Sequence, residues 1–130
     1  MSNEANIENS TQTNDLIIVM TKGIYDEVSS VGLTIANGAL TSGKTVGLFL
    51  TSSAIDLVRK GGVDHTHVHP MESLKGLLDS FMERGGDVWA CPPCTTARGY
   101  DEDSLIDGVV IHGASVIMER IGNGAATLTF

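Results

Sequence analysis

The two cysteines of the chain lie three residues apart in the segment VWACPPC, residues 88–94. The apolar residues before Cys91 predict a short strand, and Pro92 suits the first position of a helix. Cys91 would then cap the positive end of that helix, a position that stabilises a thiolate. Two-cysteine motifs with this spacing commonly contain a thiol that ionises readily. The segment therefore predicts a reactive cysteine at position 91.

Two other interpretations of the cysteine pair stay open. Cysteines near a strand end also occur as small buried apolar residues, or as half of a metal site that another chain completes. The two prolines favour reactive thiols, because inert buried cysteines would not require them. We predict that Cys91 and Cys94 are catalytic residues and that the chain binds no cofactor.

The composition is that of one globular domain with an acidic surface. The 130 residues are 42% apolar and 18% charged, and the net charge is −8, with a pI near 4.7. Nucleic acids and anionic membranes are bound through lysine- and arginine-rich surfaces, so we expect neither as a partner. Small molecules and other proteins are the expected partners.

The first residues of the chain differ in composition from the rest. Residues 2–14 are polar, with Ile7 as their only large apolar side chain, and they bury too little to repay the entropy of ordering. We expect a flexible tail over residues 1–14 and a single domain over residues 15–130. A secretory signal and a bilayer-spanning stretch are not expected. The chain is therefore predicted to be cytoplasmic, where a cysteine pair is rarely a structural cross-link.

Hydrophobic periodicity predicts strands that alternate with helices. Continuous apolar runs predict buried strands, whereas apolar residues three or four apart predict helices. The expected strands are 15–20, 44–51, 88–91, 109–111 and 125–130, and the expected helices are 26–42, 72–84 and about 114–121. A capping box from Ser53 to Asp56 predicts a further short helix, and the acidic segment 101–107 predicts a helix start. The fold class is α/β, with three layers and a five-stranded, mainly parallel sheet flanked by helices.

The carboxyl ends of parallel strands form the ligand crevice of such a sheet. The residues expected there are Thr21, Lys22 and Tyr25 after the first strand, Thr51 and Ser52 after the second, Cys91 after the third, and His112 after the fourth. One crevice could collect all of these side chains. Lys22 and His112 are candidate substrate-binding residues, and His112 is either a proton acceptor or an ordinary loop residue.

A histidine-rich loop precedes the leucine-rich helix. Its sequence, VDHTHVHP, places His65, His67 and His69 at alternate positions, and on an extended segment all three would point the same way. That pattern leaves a metal site open. Loops of this kind without carboxylate or cysteine partners are usually solvated, so we expect no metal here.

The cysteine that closes the third strand has an Arg-Gly pair seven and eight residues after it, here Cys91, Arg98 and Gly99. A leucine-rich helix and a Gly-Gly-Asp turn precede the cysteine, and His69-Pro70 precedes the helix. With these features, residues 16–130 resemble the DsrE/DsrF-like family, which includes the sulfur-relay proteins of tRNA thiolation and small proteins of dissimilatory sulfur oxidation. The resemblance implies a five-stranded parallel sheet and homo-oligomers, often trimers or hexamers.

The resemblance also implies a function, that of a sulfur carrier. Cys91 would take a sulfane sulfur from a donor protein, hold it as a persulfide and pass it to an acceptor protein. Cys94 would resolve the persulfide by forming a disulfide with Cys91. This second cysteine is commonly absent from the relay members, although CPPC-like motifs occur in other branches of the family. Arg98 would stabilise the anionic sulfur or, equally, the end of a short helix.

Two alternative functions stay open. The CPPC motif also fits a dithiol-disulfide oxidoreductase, yet no proline follows Cys94, whereas thioredoxin-like folds place a cis-proline loop downstream of the motif. The other alternative is a non-catalytic, partner-binding subunit with idle cysteines. If the chain is catalytic, we expect a sulfurtransferase-like activity.

Overall fold

A computed structural model describes residues 15–130, which fold around one five-stranded parallel sheet. The strands are β1 (Leu16–Met20), β2 (Val46–Leu50), β3 (Asp87–Ala90), β4 (Val109–Ile111) and β5 (Ala126–Thr129). Their order across the sheet is β4-β3-β2-β1-β5, and every neighbouring pair is parallel. The predicted α/β class is confirmed, and each strand lies within two residues of its expected bounds.

The helices connect the strands as crossovers of the parallel sheet. They are α1 (Glu27–Thr41), α2 (Leu74–Glu83), α3 (Pro92–Ala97) and α4 (Ser115–Gly122). The Asp26 side chain caps α1 by accepting a hydrogen bond from the Val28 N–H. Ser73 caps α2 through the Gly76 N–H, so this helix begins two residues later than the predicted start at residue 72. A side-chain oxygen at the cap satisfies an N–H that the helix leaves unpaired.

Two short segments differ from the predicted helices. Ser52–Leu57 is a 3-10 helix whose cap residue is Thr51, and no side chain caps it. The predicted capping box from Ser53 to Asp56 is therefore wrong, because Asp56 instead accepts a hydrogen bond from Tyr100. In the acidic segment, Glu102–Ser104 is a single 3-10 turn that begins with a capping box between Asp101 and Ser104.

The two faces of the sheet are covered unequally. One face packs against α1, α2 and the 3-10 helix, with Ile18, Leu48, Leu33 and Phe81 fully buried at that interface. The other face holds a small cluster of four buried residues: Ile17, Phe49, Trp89 and Ile117. Ile117 comes from α4, which is the one helix within residues 15–130 that contributes a buried residue to this cluster. Burial on both faces explains why β1 and β2 are apolar throughout.

The predicted tail, residues 1–14, lies outside the residues that the structure describes. Over residues 15–130, no helix has the length and apolar character needed to cross a membrane.

Candidate functional site

Cys91 lies at the point where β3 ends and α3 begins. It is the cap residue of α3, with φ −64° and ψ 123°, and Pro92 is the first helical residue, as predicted. The Cys91 N–H donates to the Leu50 carbonyl at 3.0 Å, and the Cys91 carbonyl accepts from the Thr95 N–H at 3.1 Å. The side chain is half-buried, packs against both apolar clusters and makes no capping hydrogen bond. The backbone of Cys91 is thus fixed on both sides.

Cys94 receives hydrogen-bond donors from a different part of the chain. Its Sγ lies 3.1 Å from the Ser52 backbone nitrogen, which donates to it, and 3.3 Å from the Thr51 hydroxyl oxygen. Both donors follow β2, the neighbour of β3 in the sheet. Thr51 and Ser52 were predicted to lie in the crevice, but their contact with Cys94 has no signal in the sequence.

These contacts favour the anionic form of Cys94. The Thr51 hydroxyl is the main cause that lowers the pKa of the Cys94 thiol below its ordinary value, and burial opposes this effect. The Ser52 N–H, the Cys91 thiol and the Arg98 guanidinium lower the pKa further. Both cysteines are free thiols. The groups around the Cys94 sulfur therefore stabilise its thiolate.

Ser52 adopts an unusual backbone conformation. Its φ is 53°, in the left-handed region, and it is the only non-glycine residue with positive φ within residues 15–130. Such a conformation costs about 1–3 kcal/mol and often occurs at functional sites. Here the strained residue is the one whose N–H donates to the Cys94 sulfur.

Arg98 joins the end of α3 to the 3-10 helix. Its Nη1 donates to the Cys94 carbonyl at 3.2 Å, and its Nε lies 4.0 Å from Asp56 Oδ2. The other Asp56 oxygen accepts a hydrogen bond from the Tyr100 hydroxyl at 2.6 Å, and this bond raises the pKa of Tyr100. Arg98 therefore stabilises the helix end and also contributes to the electrostatics of Cys94.

The structure does not bring Lys22 and His112 into contact with the thiols. Both side chains are exposed. His112 continues the sheet ladder through its N–H, which donates to the Ala90 carbonyl, and its ring nitrogen Nδ1 lies 3.0 Å from the Gly113 carbonyl oxygen. Neither Lys22 nor His112 forms a side-chain hydrogen bond or ion pair with Cys91 or Cys94 in the described part of the chain.

In the histidine loop, His65 and His69 lie in turns, and residues 66–68 between them have no regular secondary structure. The rings of His67 and His69 lie 4.0 Å apart at an angle of 42°, and His67 Nε2 lies 2.5 Å from the Met71 carbonyl oxygen. Between residues 15 and 130, no group of three or more His, Cys, Asp or Glu side chains is placed to hold a metal ion.

An open cleft of about 540 Å³ lies next to the cysteine pair, at the carboxyl ends of β1 and β2. The cysteines do not line it, but Ser53 does, and Ser53 follows the residue that donates to Cys94. Sequence reasoning named Tyr25 for this crevice and missed Asp56, Arg59 and Tyr100. The lining residues are Gly23, Ile24, Tyr25, Asp26, Ser53, Asp56, Arg59 and Tyr100.

The chain is similar to known proteins both in sequence and in structure. An uncharacterized protein of Methanopyrus kandleri, MK0008, is 33% identical over 95 residues, which is 72% of this chain and 75% of the relative. The ychN protein of E. coli has a similar structure, with a TM-score of 0.71, 24% identity, and coverage of 92% of this chain and 100% of that one. The protein MTH1491 of Methanobacterium thermoautotrophicum has a TM-score of 0.65 and 19% identity, over 89% of this chain and 98% of that one.

The two structural neighbours are less than 25% identical to this chain, so they support the fold alone. A family model supports more than the fold. The model described as "DsrE/DsrF-like family" matches residues 14–130, nearly the whole chain. This protein therefore belongs to the DsrE/DsrF-like family.

Proposed function

We propose that this protein is a sulfur carrier that holds sulfane sulfur as a persulfide on Cys91. The observation that carries the proposal is the pair of free, half-buried thiols at the carboxyl end of the sheet, one of which is stabilised as an anion. Membership of a family linked to sulfur relay supports it. A carrier needs a nucleophilic thiol and a site that tolerates negative charge on sulfur, and the cysteine pair supplies both.

The loading step begins with Cys91. The Cys91 thiol is one of the groups that lower the pKa of Cys94, and in this proposal its proton passes to the Cys94 thiolate as Cys91 attacks. The Cys91 sulfur attacks the outer sulfur of a donor persulfide, a new S–S bond forms, and the donor leaves as a thiolate. In delivery, an acceptor thiolate attacks the outer sulfur of the Cys91 persulfide, and Cys91 leaves as a thiolate.

Cys94 has a second role in this proposal, that of the resolving thiol. Its thiolate attacks the inner sulfur of the Cys91 persulfide, which forms the Cys91–Cys94 disulfide and releases HS⁻. The lowered pKa of Cys94 keeps more of this thiol ionised near neutral pH, so resolution competes with delivery whenever no acceptor is bound. A dithiol reductant would then restore both thiols.

Trapping of the persulfide tests the assignment of the two cysteines. The protein, Cys91→Ser and Cys94→Ser are incubated with a sulfane-sulfur donor, alkylated and mapped by mass spectrometry, with the variant that lacks both cysteines as the background. We expect no added sulfur in Cys91→Ser and a longer-lived persulfide in Cys94→Ser, because the resolving thiol is gone. Sulfur on Cys94 in Cys91→Ser, and none in Cys94→Ser, would reverse the assignment.

A dithiol-disulfide oxidoreductase is the second candidate. The two free thiols, one at the cap and one in the first turn of α3, favour it, since such a pair can close to a disulfide while it reduces a disulfide substrate to two thiols. This function predicts exchange with a disulfide substrate and no retention of sulfur. If the parent protein takes up no sulfur but exchanges disulfides, the oxidoreductase replaces the carrier. If neither occurs and Cys91→Ser still binds its partners, the chain is a non-catalytic binding subunit.

We also propose that the protein assembles as a homo-oligomer, a trimer or hexamer, which exchanges sulfur with donor and acceptor proteins. The sheet face that α4 covers supports this assembly. Val110 of β4 shares a row with Trp89 on this face and is 52% exposed, and Met118 and Ile121 of α4 are 59% and 39% exposed. Exposed apolar groups of this kind are typical of protein interfaces. Light scattering that gives a monomer at micromolar concentration would contradict the assembly.

A further inference from the structure

The cleft beside the cysteine pair has the size of a small-molecule site. Its volume of about 540 Å³ lies within the range of roughly 300–1,000 Å³ that such sites occupy. It lies at the carboxyl ends of adjacent parallel strands, where ligands bind in open α/β sheets. The same cleft has a polar rim of Ser53 and Tyr100 and an apolar surface from Ile24 and Tyr25.

The charged groups of the cleft show which ligand it fits. Both oxygens of Asp56 are engaged, one by the Tyr100 hydroxyl and the other by the Arg98 guanidinium. Among residues 15–130, the Asp26 side chain has one partner, the Val28 N–H, which donates to Oδ1, so Oδ2 is available to a ligand. The Arg59 side chain is exposed and forms no hydrogen bond or ion pair with any described residue. One carboxylate and one guanidinium are therefore available in the same cleft.

We propose that this cleft binds the zwitterionic part of an amino-acid thiol, with its ammonium group at Asp26 and its carboxylate at Arg59. Arg binds carboxylates through two parallel hydrogen bonds, which gives the contact direction as well as strength. The inference rests on the proposed function for the identity of the third group, the thiol. In this proposal the ligand's thiol lies on the side of the cleft that Ser53 forms, next to the residue that donates to Cys94.

The ligand's thiol then acts as the acceptor in sulfur transfer. Its thiolate attacks the outer sulfur of the Cys91 persulfide, the S–S bond of the persulfide breaks, and Cys91 leaves as a thiolate. The products are the free Cys91 thiolate and the persulfide of the amino-acid thiol, and no external oxidant or reductant is consumed. A ligand bound by its two charged ends makes this attack effectively intramolecular.

Binding is tested first with S-methyl-L-cysteine, which carries both charges and cannot exchange sulfur. Calorimetric titration should give saturable binding to the parent protein. Arg59→Gln and Asp26→Asn should each weaken it by about tenfold or more, because each removes at least one hydrogen bond to a charged group. Asn caps helices as well as Asp does, so Asp26→Asn removes the charge and keeps α1. The matched controls are Arg84→Gln and Asp79→Asn, whose charges lie on or beside α2, outside the cleft.

Transfer is tested next with thiols that differ in charge. The persulfide protein is mixed with cysteine, with cysteamine, which lacks the carboxylate, or with mercaptoethanol, which lacks both charges, and the loss of one sulfur atom is followed by intact mass. Arg59→Gln should slow transfer to cysteine but not to cysteamine. Asp26→Asn should slow transfer to both, and neither variant should slow transfer to mercaptoethanol. Comparing each variant with its parent for one thiol cancels differences in thiol reactivity.

The two experiments separate this inference from the function on which it rests. If the parent does not bind S-methyl-L-cysteine, or if Arg59→Gln and Asp26→Asn bind it as tightly as the parent does, the cleft assignment is overturned. Equal slowing of all three thiols by a variant would also overturn it, because that pattern indicates a general disturbance. Charge-dependent binding by a protein that takes up no sulfur would support the cleft assignment and refute the carrier function.

Discussion

Replacement of Gly47 by alanine should destabilise the protein through a clash with Trp89. Gly47 is the second residue of β2, and a Cβ atom placed on it would lie 2.1 Å from Cζ3 and 2.3 Å from Cη2 of the Trp89 ring. Carbon atoms pack at about 3.5–4.0 Å, so the ring would have to retreat by more than about 1 Å. Trp89 is buried among Ile17, Phe49 and Ile117 and has little room to do so. Its strand, β3, ends at Ala90, directly before Cys91, so we expect the displacement to reach the candidate site.

The size of the effect follows from two opposed terms. Overpacking of a core position costs about 1–3 kcal/mol. Alanine gains roughly 0.5–1 kcal/mol over glycine in regular secondary structure, because glycine loses more backbone entropy on folding. An approach of 2.1 Å is severe, so the upper part of the overpacking range applies, about 2–3 kcal/mol. We therefore expect Gly47→Ala to lower the free energy of unfolding by about 1–2.5 kcal/mol. Urea unfolding measures it, and the fluorescence of Trp89, the only tryptophan of the chain, reports directly on the displaced ring.

A control and a double-mutant cycle make this prediction specific. Gly38 lies in α1, and a Cβ added there meets no atom within 4 Å, so Gly38→Ala should raise the free energy of unfolding by about 0.5–1 kcal/mol. In a Trp89→Leu background, Gly47→Ala should lose its cost, because the ring is absent; far-UV circular dichroism follows unfolding there. The reasoning is refuted if the free energy of unfolding of Gly47→Ala lies within about 0.5 kcal/mol of that of the parent. It is also refuted if Gly47→Ala costs as much in the Trp89→Leu background as in the parent.

Three further predictions concern single contacts. Alkylation of Cys94 should stay fast at pH values below the ordinary thiol pKa of about 8.5. Thr51→Val removes the main hydrogen-bond donor and should slow this alkylation near neutral pH. Equal alkylation rates in the parent and Thr51→Val would exclude that role of Thr51. In an ultraviolet titration, Tyr100 should ionise above the ordinary pKa of about 10, and Asp56→Asn should lower its pKa. The raised pKa of Tyr100 stabilises the folded state below the pKa of the unfolded state, and this stabilisation is lost as pH rises through the folded pKa. A Tyr100 titration that Asp56→Asn leaves unchanged would contradict the contact. Met118→Glu should shift the assembly towards monomers in light scattering without changing the circular dichroism spectrum, and an unshifted assembly would remove α4 from the interface.

Much of the fold could be predicted from the sequence because the buried strands leave a strong local signal. β1 and β2 are continuous apolar runs, and both are buried on two faces of the sheet. The apolar residues of α2 recur at helical spacing, and Leu74, Leu77, Leu78 and Phe81 are all buried. Strand order could not be predicted in the same way, because it depends on contacts between segments that are far apart in the chain.

The 3-10 helix shows why a local pattern can mislead. Ser53 and Asp56 have the spacing of a capping box, which is a contact between residues three apart. Asp56 instead bonds to Tyr100, 44 residues away. A hydrogen bond to a side chain that the fold brings close replaces the local one, and nothing in the segment itself indicates that partner.

The candidate site also has one part that depends on neighbouring residues and one part that depends on distant ones. The cap position of Cys91 depends on its own neighbours, the apolar strand before it and Pro92 after it, and it was predicted. The donors to Cys94 come from Thr51 and Ser52, at a sequence separation of more than 40 residues, and they were not. The helix-end argument placed the stabilised thiolate at Cys91, whereas the donors in the structure converge on Cys94.

The sheet order explains why the thiols, the donors and the cleft lie together. β2 pairs with β3 on one side and with β1 on the other, all in parallel, so the segments that follow these three strands emerge at one edge. The segment after β3 supplies the thiols, the segment after β2 supplies the donors to Cys94, and the segment after β1 supplies Asp26. Each contribution lies in a loop or short helix outside the buried strands, so these residues can change without loss of the core. The ion pair between Arg98 and Asp56 links the charge around the Cys94 sulfur to the charge in the cleft.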